Sequence, residues 1–286
     1  MKRLVNPQRL PPFLKGVAKA PRVLTAGIRL LPDFLIIGAQ RCGTTSLQRY
    51  LIQHPCIAPS FRKEVHFFDR NLKKGVNWYR AHFPSAPHKY YVTTILRRRF
   101  LTGEASAAYL FYPHAPKRIL ETVPRAKLIV LLRNPVDRAY SQYQHEASLR
   151  YETLPFEAAI EQEPRRLEGE REKMLCDEGY DSYSYRHHSY LSRGVYADQL
   201  AIWMNLFSRE QMLILQSEDF FAGPASVFQK VLRFLDLPPW ELANFKRYNA
   251  REYSTMDGAT RRRLIEYFEP HNRRLSELVG RNFSWD

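Results

Sequence analysis

The chain has 286 residues, 44% of them hydrophobic and 13% aromatic, enough to build a sizeable core of its own. Its 44 Lys and Arg against 29 Asp and Glu leave a formal charge of +15, which turns it toward anionic partners such as nucleotides, acidic polysaccharides or anionic lipid. The three cysteines, Cys42, Cys56 and Cys176, are too few and too widely spaced for a disulfide framework or a zinc site, and no apolar run approaches the ~20 residues that cross a bilayer.

Residues 1–32 read as a basic arm interrupted by Pro7, Pro11, Pro12 and Pro21. It lacks the apolar core of a signal peptide, so a cytoplasmic location is expected. Lys15, Lys19, Arg22 and Arg29 alternate there with Val17, Leu24, Ile28 and Leu30. That mixture is expected to pack on the domain that follows, with peripheral contact to an anionic membrane surface as the alternative.

Residues 33–286 read as a single α/β domain. Phe34 to Ile37 suit a buried strand. A loop from Gly38 to Gly43 follows, and Thr44-Thr45-Ser46 opens a helix with Leu47, Tyr50 and Leu51 on one face. Strand, glycine-bounded loop and helix start together aim backbone N–H groups at an anion. The spacing is G-x-x-x-x-G, but Thr44 stands where a nucleotide P-loop has its Lys, and the positive charge lies inside the loop at Arg41.

Beyond this helix, residues 53–58 turn into a short extended piece, and Arg62-Lys-Glu-Val-His-Phe-Phe-Asp69 gathers ionisable groups before two aromatics. Trp78, Tyr79 and Phe83 make a helix-like apolar set, and 85–99, ending in three arginines, reads as an exposed loop. Phe100 to Ser106 reads as a strand, and Pro113 as the start of a helix. Lys127 to Arg133 has the five-residue apolar run of a central parallel strand, and Asn134-Pro135 opens the helix after it. Residues 146–190 read as one helix near 156–162 and then a mobile, acceptor-side lid or insertion. A helix near 194–206, a strand at 211–216 and a helix at 224–235 precede a polar, aromatic loop at 245–257. Two helical pieces, 259–268 and 270–278, close the chain. Strands alternating with helices predict a parallel sheet flanked by helices.

Ligands of open α/β sheets sit at the carboxyl ends of strands. If the strands at 34 and 127 are neighbours, Arg133 and Ser141 face the Gly38 loop. Gln40, Arg41, Cys42, Gly43, Thr44, Thr45 and Ser46 would then hold one phosphate, Arg133 and Ser141 a second, and Tyr248 and Arg251 an aromatic base. The strand ends in Arg133, where an NTPase of the P-loop type has a magnesium-binding Asp, so transfer without a metal is expected.

These stretches resemble sulfotransferases that use 3′-phosphoadenosine-5′-phosphosulfate, most closely the heparan sulfate N- and 3-O-sulfotransferase group. Gly38 to Thr45 resembles their 5′-phosphosulfate loop, Leu131 to Ser141 their 3′-phosphate motif, Glu64 to Asp69 the segment carrying the base, and Tyr267 to Trp285 their C-terminus. The resemblance covers residues 33–286 and implies a P-loop-like sheet and in-line sulfuryl transfer to a hydroxyl or amine, leaving adenosine 3′,5′-bisphosphate. It implies Glu64 as the base, His66 as a second acid–base or acceptor contact, Asp69 as an orienting neighbour and Arg41 in the place of a loop Lys. The acceptor implied is a carbohydrate or another hydroxylated, often anionic, molecule. Ala105 replaces a second Lys of the 3-O-enzymes, and the cysteines that bracket their C-terminal cofactor loop are missing. Two rival readings are a P-loop kinase or NTPase and a non-catalytic polyanion-binding module; no nucleic-acid motif supports a nucleic-acid partner.

Overall fold

A computed structural model describes residues 21–248 and 254–285. Arg251 and residues 1–20 of the arm lie outside the described residues. Five parallel strands form one sheet in the order β2-β3-β1-β4-β5: β1 (Phe34–Gly38), β2 (Ile57–Pro59), β3 (Leu101–Ala105), β4 (Lys127–Leu132) and β5 (Met212–Gln216). The central strands carry the continuous apolar runs: Leu35, Ile36 and Ile37 of β1 and Leu128 to Leu132 of β4 are all fully buried. A strand covered on both faces has no polar side to present, which is why these runs do not alternate.

Helix α1 (Thr44–Leu51) follows β1 directly, and α2 (Phe67–Arg70) precedes β3. Next come α3 (Ala115–Thr122), α4 (Pro135–Ser148), α5 (Phe156–Leu167), α6 (Tyr196–Leu206), α7 (Ser217–Ala222), α8 (Pro224–Phe234) and α9 (Gly258–Val279). Helices α3, α6 and α9 pack as one group, and α8 packs on α1. Gly38 ends β1 where a Cβ would stand 2.5 Å from Leu110 Cβ, so only glycine lets the chain turn there beneath the 106–112 loop.

Three expectations are corrected. Residues 86–95 are helical, an α-turn at Ala86–Tyr90 running into a π-turn at Tyr91–Ile95, although most of their side chains are solvent-facing. Helix α9 runs unbroken through Pro270 instead of splitting there. Residues 146–190 form α5 and two further helices, Glu170–Cys176 and Tyr183–His187. Buried carboxylates tie that segment down. Glu163 accepts from the backbone N–H groups of Leu191 and Ser192 at 2.6 and 2.8 Å, and Glu152 accepts from Arg166 and the Tyr190 hydroxyl at 2.5 and 3.0 Å.

The described part of the arm packs on the domain, as expected. Arg22 donates to the carbonyls of Ala81 and Phe83 at 2.7 and 2.8 Å, and Arg29 reaches Phe83 O at 2.9 Å. Among the described residues no helix is long and apolar enough to cross a membrane.

Candidate active site

The site lies at the carboxyl ends of β1, β4 and β3. The loop from β1 to α1 reaches Gly43 at φ 92°, left-handed backbone that glycine adopts without strain. Gly43 is also the N-cap, and no side chain caps α1. The start of α1 thus faces the loop with no side chain covering it, the end of a helix at which a phosphate is favoured.

Pairing of β1 with β4 brings Arg133 and α4 alongside this loop. Asn134 accepts from Val136 N at 2.9 Å and starts α4, with Pro135 in its first turn. Ser141, two turns on, is buried, and its hydroxyl accepts from Arg41 Nε at 3.1 Å. The two anion-binding stretches thus share one hydrogen bond. Arg41 itself has φ 71°, a left-handed conformation that turns its side chain toward α4.

The other loop residues divide. Thr44 is buried and Thr45 is partly open, at the start of α1. Gln40 Oε1 is buried with no hydrogen-bond partner, an amide left unsatisfied next to the loop. The Cys42 thiol is fully buried 3.9 Å from the Tyr196 hydroxyl, and burial pushes it up to about 11. Its side chain therefore faces the core, and only its backbone borders the loop. The Ser46 hydroxyl is likewise buried and accepts from Tyr248 N at 3.0 Å. That bond, with Tyr50 donating to Lys246 O at 3.0 Å, brings Tyr248 onto α1. The Cys42 and Ser46 side chains thus tie neighbouring elements to the loop, and what these two residues can offer a ligand is their backbone.

The 62–69 segment closes the site from the β3 side. Glu64 meets Lys63 Nζ at 3.4 Å and His66 Nε2 at 3.7 Å, and His66 Nδ1 meets Asp69 Oδ2 at 2.8 Å. Burial pushes the Glu64 carboxyl up, but the nearby His66 imidazolium and the charge of Lys63 outweigh it and hold the group at about 2. Burial pushes His66 down, and the hydrogen bond to Asp69 and the nearby Glu64 carboxylate outweigh that, lifting it to about 9. At neutral pH Glu64 is therefore a carboxylate and His66 an imidazolium. Asp69 holds the His66 ring through Nδ1.

Two features escaped the sequence. Lys63 donates to Thr45 Oγ1 at 2.7 Å and so bridges the start of α1 to Glu64. And Glu104, at the end of β3, is buried and takes hydrogen bonds from Val65 N, Ser106 Oγ, Tyr79 and Tyr109 at 3.2, 2.7, 2.8 and 2.9 Å. Ser106 and Tyr109, each donating its proton to Glu104, in turn accept from His66 N at 3.1 Å and Phe67 N at 2.9 Å. Three successive N–H groups of the Glu64 segment thus rest on one buried carboxylate. Only an acidic residue inside an apolar strand, Leu101 to Ala105, hinted at this in the sequence.

The sulfotransferase domain family matches residues 31–260. The chain belongs to the sulfotransferase domain family. A sulfotransferase structure from Alicyclobacillus acidocaldarius is 32% identical, with a TM-score of 0.66 over 89% of this chain and 98% of that one. The membrane-associated sulfotransferase kil1 of Dictyostelium discoideum is 29% identical over 89% of this chain and 66% of its own length. The human bifunctional heparan sulfate N-deacetylase/N-sulfotransferase 3 is 32% identical over 87% of this chain. This sulfotransferase-family chain spans only 30% of that bifunctional relative's length.

Proposed function

We propose that the chain transfers a sulfuryl group from 3′-phosphoadenosine-5′-phosphosulfate to a hydroxyl or amine of a carbohydrate acceptor, releasing adenosine 3′,5′-bisphosphate. The observation that carries the reading is the bond from Arg41 to Ser141 beside the uncapped start of α1. It makes one cationic trough of two anion-binding stretches, and this donor has two separated anionic ends. The residues suit such a ligand. Thr44, Thr45 and the first N–H groups of α1 would hold the 5′ end, Arg133, Ser141 and Arg41 the 3′-phosphate, and Tyr248 the base.

The donor supplies an activated sulfuryl group on a good leaving phosphate. The rest falls to side chains. Glu64, ionised and next to Lys63 and His66, takes the acceptor proton as the new bond forms. His66, held by Asp69, keeps Glu64 aimed and ionised. The cationic loop offsets charge on the departing group. Residues 146–190 form the acceptor wall in this reading. A cleft of about 710 Å³ runs beneath them, lined by Phe111, Tyr112, Leu167, Arg171 and Tyr185. A narrower cavity shares Phe111, Tyr112 and Tyr185 with that cleft and reaches Asp69 and Arg70. The names of the animal relatives support a carbohydrate acceptor.

The test is a panel of oligosaccharides and small alcohols and amines incubated with the donor, with mass-spectrometric detection of one added sulfuryl group. Sulfation of a carbohydrate is the expected result. Tight binding of ATP with magnesium, together with no binding of the sulfated nucleotide, would return the site to the kinase reading.

A further inference from the structure

One side chain touches both halves of the site. Lys63 Nζ lies 2.7 Å from Thr45 Oγ1, on the 5′ side of the trough, and 3.4 Å from Glu64 Oε1, on the acceptor side. Arg41, the cation within the loop, donates through Nε to Ser141 on the other side. A group in flight from the α1 start to a nucleophile at Glu64 crosses the space that Lys63 spans. Its side chain is 28% exposed, so it is partly desolvated without being locked in the core.

We propose that Lys63 is a catalytic residue: the ammonium that meets the sulfuryl group during transfer. The proposal rests on Glu64 being the base. In the step, the acceptor oxygen or nitrogen forms the new bond to sulfur. The bond from sulfur to the donor's 5′-phosphate oxygen breaks, and the electron pair stays on that phosphate. Glu64 takes the acceptor proton. Charge shifts onto the sulfuryl oxygens and the leaving oxygen, and a cation placed there stabilises the transition state more than the ground state. Lys63 suits this as a compact point charge on a flexible stem. Its simpler role would be to pair with Glu64 alone.

The experiment compares Lys63→Met, Lys63→Arg and Glu64→Gln. Calorimetry without acceptor measures the affinity of each for the sulfated donor and for adenosine 3′,5′-bisphosphate, which lacks the sulfuryl group. Lys63→Met should weaken the sulfated donor about tenfold more than the bisphosphate, since a charge-assisted hydrogen bond is lost to one ligand only. The same difference should persist in a Glu64→Gln background, where pairing with Glu64 cannot contribute. Turnover should fall about 100-fold in Lys63→Met and recover in part in Lys63→Arg. Equal affinity losses for the two nucleotides, or none, overturn the proposal, as does a difference that vanishes in the Glu64→Gln background. Full turnover by Glu64→Gln would remove the base reading, a separate result from the nucleotide difference. Lys63→Arg keeps the charge and serves as the second variant if Lys63→Met melts early.

Discussion

Arg41 and Ser141, a hundred positions apart, meet through a 3.1 Å hydrogen bond from the guanidinium Nε to the hydroxyl. The contact exists because β1 and β4 are adjacent and parallel, so the loop after one and the helix after the other open on the same edge. It also draws the charge of Arg41 toward α4.

The pair should act as a unit on the bisphosphate nucleotide. Arg41→Ala and Ser141→Ala are each expected to weaken adenosine 3′,5′-bisphosphate by about 10- to 100-fold, the range for losing a hydrogen bond to a charged group. The double variant should lose less than the product of the two, because each single change already breaks the shared bond. Titration calorimetry on the four proteins measures the coupling; strictly additive losses would mean the two residues contact the ligand independently.

Glu64→Gln should lower kcat by about 100- to 10,000-fold, the span for removing a positioned base, while affinity for the bisphosphate stays within about twofold. The amide keeps the shape of the side chain but carries no charge for Lys63 and His66 to pair with. A turnover within a factor of about three of the parent would assign the proton transfer elsewhere.

What the sequence made legible and what it hid have separate causes. The β1–loop–α1 unit and β4 could be read because buried parallel strands are long apolar runs and the turns between carry glycine or an Asn-Pro start. Strand adjacency entered only as a condition for placing Arg133 and Ser141 beside the Gly38 loop, and β1 and β4 do pair. Residues 146–190 misled because Glu146, Glu152 and Glu163 look solvent-facing on paper yet are buried, each meeting at least one partner 14 to 41 positions away. Pro270 misled as a break, since a long packed helix can absorb one lost backbone bond. Lys63 could not be seen, and Glu104 showed only as an acidic residue inside a strand. Their roles depend on α1 and β3 meeting the 62–69 segment in space.

Acidity should separate the two ends of the Glu64–His66–Asp69 row. His66 is raised to about 9 in the folded chain, above the ~6.5 of an unfolded histidine. Its contribution to stability is therefore complete below about pH 6.5 and is lost as the pH climbs through about 9. Glu64 is depressed to about 2, so its contribution is present above about 4.5 and is lost as the pH falls toward 2. The groups facing His66 are Glu64, Asp69 and, with the opposite effect, Arg70. With Asp69→Asn the lift weakens. The alkaline limb of kcat/KM and of thermal stability, centred near 9 in the parent, should move to lower pH while the acid limb stays in place. An unmoved alkaline limb would mean that another group titrates there.

The buried carboxylate of Glu104 offers the sharpest separation of support from chemistry. Burial pushes it up, and bonds from Ser106, Tyr79, Tyr109 and Val65 pull the other way. Replacing it with Ala orphans Tyr79, Tyr109, Ser106 and the Val65 N–H together, at a cost of roughly 3–5 kcal/mol, the range for stripping one partner from a buried ionic network. Glu104→Gln keeps the volume but puts an NH₂ against donors, so it should cost about 1–3 kcal/mol. Its local effect should be larger than its global one. His66 sits at φ 54°, a left-handed backbone held by Ser106 from one side and by Asn71 from the other. With the Glu104 end of that clamp weakened, the amides of Val65, His66 and Phe67 should exchange with deuterium faster than those of β1 and β4, and kcat should fall about tenfold or more with bisphosphate affinity unchanged. Uniformly faster exchange, with affinity and kcat falling in step, would show that Glu104 serves the fold alone.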